Sequence, residues 1–133
     1  MRVFLDANVL FSASKTGSHI AGLIAWLTER ETAISSVLAL EEARKNLVVK
    51  RSAWLPAFEN VIAGLEIVPS ALFELPIAVA SKDAPLLCAA IRSRCHLFVT
   101  GDKRDFGHLY GQRVQEVEIV SLLRLAEILA ERR

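Results

Sequence analysis

The chain has 133 residues, and we expect a single domain over residues 1–133. Its hydrophobic fraction of 53% is high, but charged residues interrupt every apolar run, which excludes a membrane-spanning helix and a membrane partner. Its 16 basic and 15 acidic residues give a net charge of +1, which neither requires nor excludes a polyanionic partner. We expect an apolar surface patch that supports a homodimer. The first strand is predicted within about two residues of Met1, without a signal sequence, so we expect a cytoplasmic location.

The predicted elements alternate between short apolar strands and amphipathic helices. Strands are predicted at 2–5, 33–35, 66–68, 97–99 and 117–120. Helices are predicted from the Ser18 cap to Arg30, over Val37–Lys50, over 54–64, from Asp83 onward and after the Ser121 cap, with a turn of helix at 71–75. This alternation predicts an α/β fold with a central, mainly parallel sheet covered by helices on both faces.

Two cysteines lie seven positions apart, and both are expected to be buried thiols. If one helix carries Cys88 and Cys95, they lie about two turns and about 10 Å apart. A disulfide needs Cα atoms within about 7 Å, so this pair cannot form one. The three histidines are scattered without ligand spacing, which argues against a zinc site.

Acidic residues recur where the predicted strands end and where the next helices start. They are Asp6, Glu41, Glu42, Asp83, Asp102 and Asp105. In a right-handed parallel sheet these positions share one edge, so the carboxylates should converge. Close carboxylates repel one another, and a divalent cation such as Mg²⁺ or Mn²⁺ removes that repulsion. Two such ions can activate water for phosphodiester hydrolysis.

Each acid also has a purely structural interpretation. Asp6 can cap the turn that follows it, Asp83 can cap a helix, and Asp102 can be a turn residue after Gly101. Glu41 and Glu42 can form a solvated helix face. Each interpretation is plausible alone, but all of them together at one sheet edge are less so.

Four segments together resemble the PIN-domain family, in the right order and over nearly the whole chain. They are VFLDANVL at 3–10, SSVLALEEARKNL at 35–47, KDAPLLCAAI at 82–91 and LFVTGDKRDF at 97–106. The resemblance implies a PIN-like three-layer sandwich and a metal-dependent ribonuclease. The family includes the toxins of prokaryotic toxin–antitoxin pairs, so it also implies an RNA substrate and an antitoxin as a possible partner.

The resemblance assigns roles to individual acids. Asp6 matches the first metal-binding acid, Asp83 the third, Asp102 the fourth and Asp105 a supplementary acid. For the second acid, Glu42 fits better than Glu41, although a shift of one residue reverses that choice. Successive helix positions point about 100° apart, so only one of the two can face the site.

Other polar residues lie beside the proposed ligands. Asn8 and Thr100 can orient the carboxylates or metal-bound water, or they can serve only local turns. Lys82, Lys103 and Arg104 adjoin proposed ligands and can contact the phosphates of an RNA strand, or they can be simply solvated.

The sequence is compatible with three functions. The leading hypothesis is a Mg²⁺- or Mn²⁺-dependent endoribonuclease that uses Asp6, Glu42, Asp83 and Asp102. The second is a non-catalytic RNA-binding or protein-interaction module with the same fold, against which the full acidic set counts. The third is a phosphatase with an acidic Mg²⁺ pocket, but Asn8 stands where such enzymes commonly carry a second aspartate.

Overall fold

The computed structural model describes residues 1–132, and its centre is a six-stranded sheet. The strands are β1 (Arg2–Leu5), β2 (Thr32–Ser36), β3 (Glu66–Val68), β4 (Leu97–Val99), β5 (Arg113–Val114) and β6 (Val117–Val120). Their order is β3-β2-β1-β4-β6-β5, and every pairing is parallel except that of β5 with β6. The mainly parallel sheet is therefore confirmed.

Helices connect the strands and cover the sheet. They are α1 (Ala7–Ala13), α2 (His19–Arg30), α3 (Val37–Lys50), α4 (Leu55–Ala63), α5 (Ala84–Arg92), α6 (Lys103–Phe106) and α7 (Leu122–Glu131). Serine side chains cap α2, α3 and α7, each accepting a hydrogen bond from the third amide that follows it. Within residues 1–132, no helix has both the length and the apolar composition needed to cross a membrane.

The order of the strands reverses direction at β1. The chain runs outward from β1 to β2 and β3, then returns to the other side of β1 for β4 and β6. Because parallel crossovers are right-handed, this reversal puts the early helices and α5 on opposite faces of the sheet, in three layers. It also opens a crevice at the carboxyl ends of β1 and β4, which is where ligands bind in open α/β sheets.

Aromatic packing fixes these two central strands against each other. Phe4 and Phe98 are register partners, both are fully buried, and their rings stack with centroids 5.5 Å apart. Phe106 packs against Phe98 at 5.2 Å and anchors the segment that follows β4. Offset aromatic pairs of this kind contribute about 0.5 to 1.5 kcal/mol beyond their buried area. This packing therefore holds the residues that directly follow β1 and β4 in fixed positions.

Two local predictions were wrong. Residues 71–75 form no helix, and Pro76 follows directly, so a helix there would have to end at once. The helix that carries Cys88 ends at Arg92, and Arg94 adopts a left-handed conformation with φ of 57°, so Cys95 lies outside it. Both thiols are nonetheless free and buried, as predicted.

Candidate metal centre

The acidic residues meet in a cleft of about 330 Å³ at the crevice between β1 and β4. Four of the predicted acids line it together, namely Asp6, Glu42, Asp83 and Asp102. They arrive from the end of β1, from α3, from the start of α5 and from the end of β4. Four carboxylates from four separate elements thus share one cavity.

Asp6 both caps a helix and faces the cleft. Its Oδ1 accepts a hydrogen bond of 2.7 Å from the Ala7 amide at the start of α1, as the capping interpretation requires. Its Oδ2 accepts hydrogen bonds from Thr100 at 2.8 Å and Asn8 at 3.0 Å. Burial raises the pKa of Asp6 to about 6, although the hydrogen bonds from Thr100, Ala7 and Asn8 act in the opposite direction.

Asn8 and Thr100 connect Asp6 to the loop after β4. The Thr100 hydroxyl donates to Asp6 and accepts from the Asp102 amide at 3.1 Å. The Asn8 side chain donates to Asp6 and accepts from the Gly101 amide at 2.9 Å. Both side chains therefore fix the position of Asp6 relative to Asp102, which is the arrangement expected of residues that orient a metal ligand.

Asp83 occupies the N-cap position of α5 but does not cap it. Its side chain makes no capping hydrogen bond, which removes the simplest structural explanation for this residue. The residue is only 5% exposed, and its buried Oδ2 has no hydrogen-bond partner. Burial raises the pKa of Asp83 to about 7, opposed by the charge of Lys82 and reinforced by that of Asp6. A buried carboxylate oxygen without a donor is suited to a cation.

Asp102 and Asp105 lie close to Asp83. One carboxylate oxygen of each of these three residues lies within 4.8 Å of the other two. Asp102 Oδ1 accepts a hydrogen bond of 3.1 Å from the Asp105 amide and so caps α6. A hydrogen bond from Lys82 is the largest influence on the pKa of Asp105 and holds it below its ordinary value.

The structure separates the two glutamates of α3. Glu42 lines the cleft with Asp6, and its negative charge contributes to the raised pKa of Asp6. Glu41 does not line this cleft; it lines a neighbouring depression, to which Glu42 and Lys82 also contribute. The helix thus directs one of the two adjacent carboxylates into the cleft, and that one is Glu42.

The three predicted phosphate-binding residues differ in their surroundings. Lys103 and Arg104 are exposed on α6, beside the cleft. Lys82 lies among the acids, with Nζ 3.0 Å from Asp105 Oδ2 and 3.8 Å from both Asp83 Oδ1 and Asp102 Oδ2.

Several cleft residues escaped the sequence reasoning. Phe11 and Ser12 enter the cleft because α1 follows β1 directly and places them one turn beyond Ala7 and Asn8. Asn46 and Lys50 also line the cleft, because they follow Glu42 on the same face of α3 at a four-residue spacing that is visible in the sequence.

The donor set fits a small divalent cation. It consists of carboxylate oxygens, which are the hard ligands that Mg²⁺ and Mn²⁺ prefer, and it includes the unpartnered Oδ2 of Asp83. These carboxylates also repel one another, and a bound cation would reduce that repulsion.

Comparison with known proteins identifies the fold of the chain but not a family to which the chain belongs. No protein-family model matches the chain, and no curated protein matches it. Among solved structures, it is similar to the crystal structure of VapBC2 from Rickettsia felis bound to a DNA fragment from their promoter. The match has a TM-score of 0.65 at 14% identity and covers 91% of this chain and 98% of the other. Together with the layered, mainly parallel sheet, this similarity confirms the predicted PIN-like fold.

Proposed function

We propose that the chain is a Mg²⁺- or Mn²⁺-dependent endoribonuclease that hydrolyses RNA phosphodiester bonds. The observation that carries this proposal is the buried, unpartnered Oδ2 of Asp83 in a cleft shared with three further carboxylates. An orphaned carboxylate oxygen costs folding energy, so its retention is best explained by a ligand that binds there. The PIN-like fold supports the same assignment.

In this proposal the chain holds the reacting groups in place. Asp6, Glu42, Asp83 and Asp102 bind the metal, and Asp105 supports it beside Asp102. A divalent ion held there would activate water for the attack and would stabilise negative charge on the phosphate. The hydrogen bonds of Asn8 and Thr100 fix Asp6, so that this ligand need not reorient during the reaction.

The basic residues around the cleft bind the substrate strand. Lys103 and Arg104 on α6 and Lys50 on α3 lie beside or within the cleft, so each can contact a backbone phosphate. We propose single-stranded RNA as the substrate.

The experiment is cleavage of end-labelled single-stranded RNA by the purified protein with Mn²⁺, Mg²⁺ or EDTA. We expect cutting that depends on the metal and is lost in Asp83→Asn and Asp102→Asn while circular dichroism stays unchanged. Glu41→Gln is the matched control, because Glu41 lies on the same helix as Glu42 but outside the cleft. Intact RNA in all conditions, or variants that cut as well as the parent, would contradict the proposal and favour the non-catalytic RNA-binding module.

We also propose that the chain is the toxin of a toxin–antitoxin pair. The similar solved structure is that of VapBC2 with a fragment of promoter DNA, and this favours an antitoxin partner for the chain. Induced expression should arrest growth, Asp83→Asn should not, and the product of a neighbouring gene should relieve the arrest. Growth unaffected by an active nuclease would contradict the toxin role. The homodimer and the cytoplasmic location stay predictions, which light scattering and cell fractionation can test.

A further inference from the structure

The ammonium group of Lys82 lies beside three of the acidic residues. Its ammonium nitrogen lies 3.0 Å from Asp105 Oδ2 and 3.8 Å from one oxygen each of Asp83 and Asp102. These three carboxylates are the ones whose oxygens lie within 4.8 Å of one another. The ammonium therefore contacts the same three acids that a shared cation would bind.

Lys82 does not satisfy the cluster completely. The Oδ2 atom of Asp83 remains buried and without a hydrogen-bond partner, and the closest contact of Lys82 with Asp83 is made to the other oxygen. A single positive charge also leaves the cluster negative, because three carboxylates surround it. Lys82 thus neutralises only part of the negative charge of the three acids, and a divalent ion would neutralise more of it.

The same lysine can leave without disturbing the fold. Its side chain is 63% exposed, whereas the side chains of Asp83, Asp102 and Asp105 are 6%, 24% and 21% exposed. Lysine has a flexible four-carbon stem, so the ammonium can move into solvent while the acids stay fixed. A divalent ion among these acids would repel a neighbouring ammonium and compete for the same oxygens.

We propose that Lys82 is a tethered counter-ion that competes with the divalent metal for Asp83, Asp102 and Asp105. Its ammonium neutralises part of the cluster in the metal-free protein and leaves when the metal binds. Lys82 thereby sets the metal concentration at which the site fills. This inference rests on the proposed function, since it assumes that the acidic cluster binds a divalent metal.

The test measures Mn²⁺ binding by calorimetry, without RNA, for the parent, Lys82→Met, Lys82→Arg and Lys50→Met. Lys82→Met removes the ammonium that competes with the metal. Because exposed ion pairs are individually weak, we expect Mn²⁺ to bind this variant roughly five- to tenfold more tightly than it binds the parent. Lys82→Arg keeps the charge and should bind Mn²⁺ within about twofold of the parent. Lys50→Met removes a charge from the same cleft, where Lys50 lies without an ion pair to any described carboxylate, and should also stay within about twofold.

Thermal unfolding gives a second readout that does not depend on catalysis. In EDTA, Lys82→Met should melt at a lower temperature than the parent, because the carboxylates repel one another without their counter-ion. Saturating Mn²⁺ should raise the melting temperature of Lys82→Met by more than this difference. If Lys82→Met does not fold in EDTA, Lys82→Gln provides the same charge removal with a polar side chain. Mn²⁺ affinity of the Lys82→Met or Lys82→Gln protein equal to or below that of the parent would overturn the inference.

The outcomes separate this inference from the proposed function. Equal Mn²⁺ affinities, together with metal-dependent RNA cutting by the parent, would overturn the role of Lys82 and leave the nuclease intact. No Mn²⁺ binding by any of the proteins would overturn both. Tighter binding by Lys82→Met that Asp83→Asn abolishes in the double variant would support both.

Discussion

Replacing Asp83 with asparagine should stabilise the metal-free protein at alkaline pH. Asp83 is buried, its Oδ2 has no hydrogen-bond partner, and burial raises its pKa to about 7. Ionising this residue in the folded state is therefore unfavourable, and asparagine keeps the shape while it removes the charge. A substitution that should abolish metal binding is thus expected to strengthen the metal-free fold, a trade-off typical of functional sites.

The size of the effect follows from the two pKa values of Asp83, its ordinary value of 3.8 and about 7 in the fold. A tenfold change in protonation equilibrium corresponds to about 1.4 kcal/mol, so the ionised carboxylate costs the folded state up to about 4 kcal/mol. Because the folded pKa is raised, this cost is absent below about pH 4 and grows as the pH rises to about 7. The substitution also changes the interactions of Asp83 with Lys82 and Asp105. We therefore expect Asp83→Asn to raise the free energy of unfolding by about 2 to 3 kcal/mol at pH 8.

The assay is thermal and urea unfolding in EDTA between pH 4.5 and pH 8. Asp83→Asn should be more stable than the parent by at most about 1 kcal/mol at the acidic end, and it should melt roughly 10 °C higher than the parent at the alkaline end. Asp102→Asn is the control, since Asp102 is partly exposed and its side chain caps α6, so no such gain is expected. Adding Mn²⁺ should stabilise the parent and leave Asp83→Asn unchanged. A variant no more stable than the parent at pH 8 would refute this reasoning about the buried carboxylate.

Three further substitutions test other parts of the structure. Thr100→Val removes the hydroxyl that donates to Asp6, so the free energy of unfolding should fall by about 1 to 2 kcal/mol and RNA cleavage by about tenfold, whereas Thr100→Ser should retain both. Glu42→Gln should slow cleavage at least about 100-fold while Glu41→Gln cuts like the parent, and equal rates would contradict the assignment of Glu42 to the cleft. Phe98→Ala should cost about 3 to 5 kcal/mol in urea unfolding because Phe98 is fully buried, and a loss below about 1 kcal/mol would contradict its central packing role.

The sequence predicts the strongly periodic elements well and the short ones poorly. The helix over Val37–Lys50 is predicted with its observed bounds because a serine cap and apolar residues at helical spacing agree. The seven-residue α1 begins directly after β1 and Asp6, and an apolar run of that length does not distinguish helix from strand. β5 is missed for a different reason. Its turn uses Gln115 and Glu116 with φ of 44° and 75°, where a hairpin signal would be asparagine or glycine.

For the site, sequence reasoning predicts which acids meet but not how each is used. The convergence of Asp6, Asp83 and Asp102 follows from strand order and crossover handedness, so it is accessible without coordinates. The absence of a capping hydrogen bond from the Asp83 side chain cannot be predicted from the sequence, because an aspartate before a helix normally indicates a cap. The position of Lys82 among the acids depends on a side-chain conformation that no local pattern specifies.

The most direct test of the central claim is single-turnover RNA cleavage in water enriched in heavy oxygen, with Mn²⁺ as the metal. If the carboxylate cleft activates water, heavy oxygen enters the terminal phosphate of the first product, no cyclic phosphate forms, and Asp83→Asn abolishes the reaction. If instead the product is a cyclic phosphate without heavy oxygen, the RNA 2′-hydroxyl is the nucleophile, and if cleavage continues in EDTA, the reaction needs no divalent metal. Either result would contradict the metal-dependent hydrolysis proposed for Asp6, Glu42, Asp83 and Asp102.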